Sequence, residues 1–110
     1  MVRKYAEYPS LCGKTVFVTG GASGIGAEIV TAFADQGSKV GFIDIDREAS
    51  GAMLGKLNGE HMFSYCDLRN ITSLQKSFAE LAEQLGPAEV LVNNAARDDR
   101  HDWRDVTAEY

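Results

Sequence analysis

The chain has 110 residues and a formal net charge of −5, with 45% hydrophobic and 25% charged residues. These values are typical of a folded domain, and the length allows at most one domain. The sequence has no dense Lys/Arg cluster, which argues against a nucleic acid or an anionic membrane as a partner. No apolar run approaches the roughly 20 residues of a membrane helix, and no signal peptide is recognisable, so we expect a cytoplasmic protein.

The sequence contains two cysteines, Cys12 and Cys66, which do not have the spacing of metal ligands. We interpret both as buried thiols in a reducing compartment rather than as a disulfide. No metal site is predicted elsewhere in the chain either.

Apolar runs alternate with helical patterns along the chain. After an irregular lead-in over residues 1–13, the predicted strands are residues 15–19, 39–44, 62–66 and 88–93. The first two predicted helices are residues 24–36 and 47–58. The third has apolar residues at intervals of three and four, namely Ile71, Leu74, Phe78, Leu81 and Leu85. Such alternation implies right-handed crossovers and a parallel sheet covered on both faces.

Residues at the helix ends support these boundaries. Gly37 supplies a left-handed stop for the first helix, and Asp46 can cap the second. Gly86 and Pro87 end the third helix. The second helix is predicted to bury Ala49, Met53, Leu54 and Leu57.

The order β-α-β-α-β-α-β predicts an α/β fold, a Rossmann-type doubly wound parallel sheet of which the chain supplies the first four strands. With strand order 3-2-1-4, strand 4 would be an apolar edge. Residues 96–106 are polar. Thr107 could be the N-terminal cap of a further helix, but only three residues follow it in this sequence. One turn is not stable alone, so we interpret residues 1–110 as the N-terminal part of a single nucleotide-binding domain.

The first strand leads into a glycine-rich turn, residues 19–26, with Gly20, Gly24 and Gly26 ahead of a helix. Glycines let the backbone turn sharply and approach a ligand, and the helix N-terminus offers free N–H groups and a positive dipole end. The turn therefore predicts a phosphate-binding site. An ordinary glycine-rich turn is the alternative.

Asp44 ends the second strand, where a dinucleotide-binding fold places the carboxylate that binds the adenosine ribose hydroxyls. Its charge would repel a 2′-phosphate, so Asp44 favours NAD over NADP. Ser23 agrees with NAD because it puts no cation in the turn, whereas the nearby Arg47 argues the other way. A solvated acid at the start of a loop is the alternative.

Two further strand ends carry candidate ligands of the cofactor. Asp67 can accept a hydrogen bond from the adenine amino group while Leu68 packs beside the ring, although Asp is also ordinary at such a corner. Small residues at the end of strand 4 leave room for a ribose and nicotinamide at the switch point of the sheet, and Asn side chains there can tie two strand ends together. These residues are Asn93, Asn94, Ala95 and Ala96.

Taken together, residues 19–26, Asp44, Asp67-Leu68 and 93–96 resemble the cofactor half of the short-chain dehydrogenase/reductase family. The resemblance covers nearly all of the chain from Lys14 onward. One departure is Ala96, where the family usually has Gly. The cofactor-binding residues that the resemblance implies are Gly20, Ser23, Gly24, Ile25, Gly26, Asp44, Ile45, Asp67, Leu68, Asn94, Ala95 and Ala96.

More narrowly, residues 8–11, 44–45, 66–68 and 93–95, followed by 98–101, resemble bacterial NAD-dependent aldose dehydrogenases of the D-xylose 1-dehydrogenase kind. The family implies hydride transfer between NAD and an alcohol or sugar, with a small-molecule substrate and a homo-oligomeric, tetrameric parent protein. The charged segment 98–102 could bind sugar hydroxyls, and a solvated loop is the equal alternative.

The family's catalytic residues are a Ser and a Tyr-x-x-x-Lys pair. No tyrosine of this chain is followed four residues later by a lysine, so no catalytic residue is assigned and the chain alone is predicted to be inactive. The alternative function is a non-catalytic NAD-binding or redox-sensing module.

Overall fold

The computed structural model describes residues 8–22 and 24–94. Its centre is one parallel sheet in the order β3-β2-β1-β4, as predicted. The strands are β1 (Thr15–Thr19), β2 (Lys39–Asp44), β3 (His61–Tyr65) and β4 (Val90–Asn93). Strands β2 and β3 are added on one side of β1, whereas β4 is added on the other side. The topological switch point of the sheet therefore lies between β1 and β4. A doubly wound sheet binds ligands at such a point.

Three helices connect the strands, and a short 3-10 helix precedes β1. The helices are α1 (Gly24–Asp35), α2 (Arg47–Lys56) and α3 (Ile71–Leu85), and the 3-10 helix is Pro9–Leu11. The Asp46 carboxylate caps α2 by accepting the Ala49 N–H at 2.9 Å, and Gly37 has the expected positive φ of 86°. Both predictions are confirmed.

Some predicted boundaries are wrong by one or two residues. Helix α2 ends at Lys56 because Leu57 is already extended, with φ −92° and ψ 141°. Strand β3 begins at His61, which pairs in register with Val40 of β2, and the His61 ring nitrogen Nδ1 also accepts the Val40 N–H at 3.1 Å. Strand β4 begins only at Val90.

The core has two layers, one on each face of the sheet, because successive residues of a strand point to opposite faces. One layer, against α1 and α2, contains Val16, Val18, Val30, Val40, Phe42 and Met53. The other, against α3, contains Phe17, Ile43, Cys66, Leu81 and Leu85. Strand β1 is buried along its whole length, so its end and the turn that follows have a fixed support.

Two burial predictions need correction. Cys66 is buried as expected, but Cys12 is exposed because it follows the 3-10 helix at the surface; both thiols are free. In α2, Met53 is buried while Ala49 and Leu54 are only half-buried, as is Leu57 just after the helix, and Ser50 takes the most buried position of the helix.

Within the described ranges, no helix has the length and apolar character needed to cross a membrane. The same ranges contain no group of three or more His, Cys, Asp or Glu side chains that could hold a metal ion.

Candidate cofactor-binding site

The carboxyl ends of all four strands lie along one edge of the sheet, because the strands are parallel and in register. The last residues of β1 and β2, Thr19 and Asp44, lie on adjacent strands there, and Asn93 pairs with Thr19 on the other side. Every predicted site residue that the structure describes follows or ends one of these strands. Ser23, Ala95 and Ala96 lie outside the described residues.

The glycine-rich turn brings the start of α1 directly against the end of β1. Gly20 and Gly24 have positive φ angles of 72° and 57°, which side chains rarely adopt. At Gly26, a Cβ atom would lie 1.8 Å from the Gly20 carbonyl oxygen. The turn can therefore close only with glycine at position 26, and the first turn of α1 then sits beside the end of β1.

This closure leaves the N-terminal end of α1 at the open edge of the sheet. The first N–H groups of a helix have no partner within the helix, and together with the dipole they favour an anion. Ile25, in the first turn, is 71% exposed and is available to cover a ligand. The turn and helix therefore fit a phosphate or pyrophosphate.

The Asp44 carboxylate is fixed by two backbone groups. Its Oδ2 accepts the Ala22 N–H at 3.0 Å, and its Oδ1 accepts the Asp46 N–H at 2.9 Å. A carboxylate oxygen can accept more than one hydrogen bond, so both oxygens keep capacity for hydroxyl donors. Asp44 thus ties the glycine-rich turn to the end of β2 and presents an oriented acceptor next to Ile45, which is 55% exposed.

On the other side of the turn, Asn94 joins β4 to β1. Its Nδ2 donates to the Gly20 carbonyl at 3.2 Å, and its backbone N–H donates to Thr19 Oγ1 at 3.0 Å. The Thr19 hydroxyl in turn donates to Asn93 Oδ1 at 3.0 Å. The prediction that Asn side chains tie two strand ends together is confirmed.

Asp67 has a partner that the sequence analysis missed. Arg69 donates to Asp67 through its Nε at 3.1 Å, its Nη2 at 2.8 Å and its backbone N–H at 3.0 Å. These hydrogen bonds lower the pKa of Asp67 from its ordinary 3.8 to about 2. Leu68 is half-buried and packs on the core layer against α3. An Arg two residues after an Asp was the available signal.

A second contact missed from the sequence lies beside Asp44. The Arg47 guanidinium carbon stands 4.0 Å from the centre of the Tyr65 ring, and Tyr65 is the register partner of Asp44. Tyr65 is 44% exposed, so this cation–π pair forms an open surface next to the carboxylate.

The sequence of this chain matches a known family over most of its length. Residues 14–109 match the model of the short chain dehydrogenase family. The chain belongs to that family.

Among curated members of the short-chain dehydrogenase family, the chain is 47% identical to D-xylose 1-dehydrogenase of Caulobacter vibrioides, covering 96% of this chain and 42% of that protein. It is 44% identical to the probable galactose dehydrogenase GalD of Rhizobium meliloti, covering 94% of this chain and 42% of that protein. The chain therefore spans less than half the length of these curated relatives.

Solved structures of short-chain dehydrogenases agree with the fold. A double mutant of a Serratia marcescens short-chain dehydrogenase/reductase superimposes with a TM-score of 0.80 at 28% identity, covering 91% of this chain and 42% of that one. A short-chain dehydrogenase from Bacillus anthracis gives a TM-score of 0.71 at 31% identity, covering 78% of this chain and 36% of that one.

Proposed function

We propose that the complete protein is an NAD-dependent oxidoreductase that transfers hydride between NAD and an alcohol or aldose, and that this chain is its cofactor-binding part. The observation that carries the proposal is Asp44, whose carboxylate is held by the Ala22 and Asp46 N–H groups beside the glycine-rich turn. A fixed anion at the end of β2 suits a free ribose diol and disfavours a 2′-phosphate.

Each part of the site has a separate task in this proposal. The turn and the start of α1 hold the pyrophosphate, and Asp44 accepts hydrogen bonds from the adenosine ribose. Asp67 accepts from the adenine amino group, and Asn94 keeps the ends of β1 and β4 in place for the nicotinamide half. Bound NAD supplies the hydride acceptor or donor, while these residues bind and orient it.

No catalytic residue is assigned to the chain, since none of its tyrosines is followed four positions later by lysine. Hydride transfer from an alcohol requires a positioned proton acceptor. We therefore expect dehydrogenase activity from the complete protein and none from the 110-residue chain by itself.

The substrate proposal rests on the names of the relatives, a D-xylose 1-dehydrogenase and a probable galactose dehydrogenase. We propose an aldose, with D-xylose as the first compound to test. The alternative of a non-catalytic NAD-binding module is not favoured, because these relatives are dehydrogenases by name. A homo-oligomeric assembly, such as a tetramer, and a cytoplasmic location stay predictions.

The test is calorimetric titration of the complete protein with NAD and with NADP. We predict tighter binding of NAD, and we expect Asp44→Ala to weaken NAD binding about tenfold or more because it removes a charged acceptor of hydroxyl hydrogen bonds. The same variant should narrow or reverse the preference over NADP.

The matched control is Asp35→Ala, which removes an equal charge from an exposed position at the far end of α1. It should leave both affinities unchanged. Absence of binding by either nucleotide, or equal effects of the two substitutions, would contradict the proposal. Reduction of NAD by the complete protein with D-xylose and D-galactose then tests the substrate class.

A further inference from the structure

The cation–π pair of Arg47 and Tyr65 lies beside Asp44, the carboxylate that we propose binds the ribose hydroxyls. Arg47 is the first residue of α2, and Tyr65 is the last residue of β3. Tyr65 pairs in register with Asp44 on the neighbouring strand, and residues in such a pair point to the same face of the sheet. The guanidinium is therefore held over the strand end adjacent to Asp44.

The ring of Tyr65 lies 4.0 Å from the Arg47 guanidinium carbon. Arginine has five N–H donors spread over three nitrogens, so contact with one ring leaves donors for another ligand. Within residues 8–22 and 24–94, no carboxylate forms an ion pair with Arg47; the ion pairs there join Lys14 to Glu89 and Arg69 to Asp67. The cation on Tyr65 is thus positioned and retains its donors.

Opposite charges therefore lie near the same strand end, where the proposed function places the adenosine ribose. Asp44 accepts from hydroxyl groups and repels a phosphate, whereas an arginine with free coplanar donors binds a phosphate in a forked geometry. Arg47 is a conflicting signal in the sequence, and the structure adds its contact with the ring of a third residue, Tyr65.

We propose that Tyr65 is a positioning residue for cofactor selection: its ring holds Arg47 where the guanidinium can meet a phosphate on the ribose 2′ oxygen, so that NADP is disfavoured but not excluded. This inference rests on the proposed function, because it needs the adenosine ribose at Asp44. It assigns part of the discrimination between NAD and NADP to β3, although β2 and α2 carry the two charges.

The experiment measures NAD and NADP dissociation constants of the complete protein by calorimetry for Tyr65→Leu, which removes the ring, and Tyr65→Phe, which keeps it. An exposed cation–π contact corresponds to a factor of about two to five in an equilibrium constant. We expect Tyr65→Leu to weaken NADP binding by about that factor with little change for NAD, and Tyr65→Phe to behave like the wild type.

A double-mutant cycle shows whether Tyr65 acts through Arg47. Arg47→Met should weaken NADP binding about tenfold, since it removes charge-assisted hydrogen bonds to phosphate. In that background Tyr65→Leu should have no further effect on NADP. If NADP is too weak to quantify in the wild type, the cycle is measured with Asp44→Ala in every variant, where the repulsion is gone.

The outcomes separate this inference from the function on which it rests. Failure of the wild type to bind NAD overturns the proposed function. Normal NAD binding combined with unchanged or tighter NADP binding in Tyr65→Leu overturns the inference alone, because the ring would then have no role or would keep Arg47 away from the phosphate. Equal weakening of both nucleotides would also overturn it, by showing a merely structural role.

Discussion

Two glycines of the same turn are required for different physical reasons. At Gly24 the backbone has a φ of 57°, but an added Cβ would meet nothing within 4 Å. At Gly26 the φ is not positive, yet an added Cβ would lie 1.8 Å from the Gly20 carbonyl oxygen. Position 24 therefore requires a residue that adopts a positive φ, whereas position 26 requires a residue without a Cβ atom. The spacing of the glycines in the sequence does not show this difference.

We predict that Gly26→Ala lowers the free energy of unfolding by about 1–3 kcal/mol or more, because either α1 or the turn must move to relieve the overlap. NAD binding should weaken strongly in the same variant, since the turn and the helix N-terminus separate. Denaturant unfolding and calorimetry measure the two effects. Gly24→Asn is the control, because Asn tolerates the left-handed conformation; a larger loss in that control would contradict the steric account.

The Asp67–Arg69 pair gives a prediction about pH. The hydrogen bonds from Arg69 lower the pKa of Asp67 to about 2, so any stabilisation from the pair is present above the ordinary value of 3.8 and is lost as the pH falls through about 2. We expect the carboxyl carbon of Asp67, followed by NMR, to titrate near that lower value. Arg69→Gln should return the pKa towards 3.8. Titration near 3.8 in the wild type would show that the pair does not persist in solution.

At the scale of elements, helices α2 and α3 start where a side chain can replace a missing backbone partner. Asp46 caps α2, and the Asn70 side-chain oxygen caps α3 by accepting the Ser73 N–H at 3.0 Å. The Asn70 N–H also donates to the Asp67 carbonyl at 2.9 Å, which fixes the corner between β3 and α3. Each cap therefore sets the start of a helix and the path of a loop at the site edge.

We predict that Asn70→Ala destabilises the fold by about 1 kcal/mol, the usual effect of losing an N-terminal cap. Asn70→Asp should be close to neutral, because Asp caps equally well and its charge favours a helix N-terminus. Thermal or denaturant unfolding of the two variants measures the difference. Equal stability of Asn70→Ala and the wild type would mean that water replaces the cap without loss.

The order of elements was predictable because it depends on local patterns. Alternating apolar runs and the glycine turn located β1, β2 and the start of α1, and Asp46 and Gly37 marked helix ends by their own chemistry. The strand order also followed, since short crossovers in a doubly wound fold leave few topologies.

Contacts between side chains that are distant in the sequence were harder to predict. Ser50 was overlooked because small polar residues are usually exposed, yet it is fully buried and its hydroxyl has no hydrogen-bond partner among the described residues. The stacking of Arg47 on Tyr65 depends on the register of β2 and β3, which residue spacing does not specify. Arg69 was the exception, since its closeness to Asp67 was visible in the sequence.

At the scale of the whole molecule, the candidate site uses all four strands, and its polar side chains belong to neither core layer. Strand β1 is buried throughout and paired on both sides, so it serves as the fixed reference for the site. The polar groups proposed to face the ligand come from the last residue of a strand, as at Asp44, or from the residues that follow a strand. Proteins commonly divide a rigid scaffold from functional loops in this way.

Three elements meet at the Gly20 carbonyl oxygen: Gly20 directly follows β1, and its oxygen accepts a hydrogen bond from the side-chain amide of Asn94, just after β4, and lies against Gly26 of α1. Every amino acid at position 20 carries the same backbone oxygen, so no second substitution there can make room for a side chain at position 26. The amide of Asn94, by contrast, can be replaced by another donor of similar reach. In a library of functional variants, position 26 should stay glycine in every background, while tolerance at position 94 should depend on its neighbours.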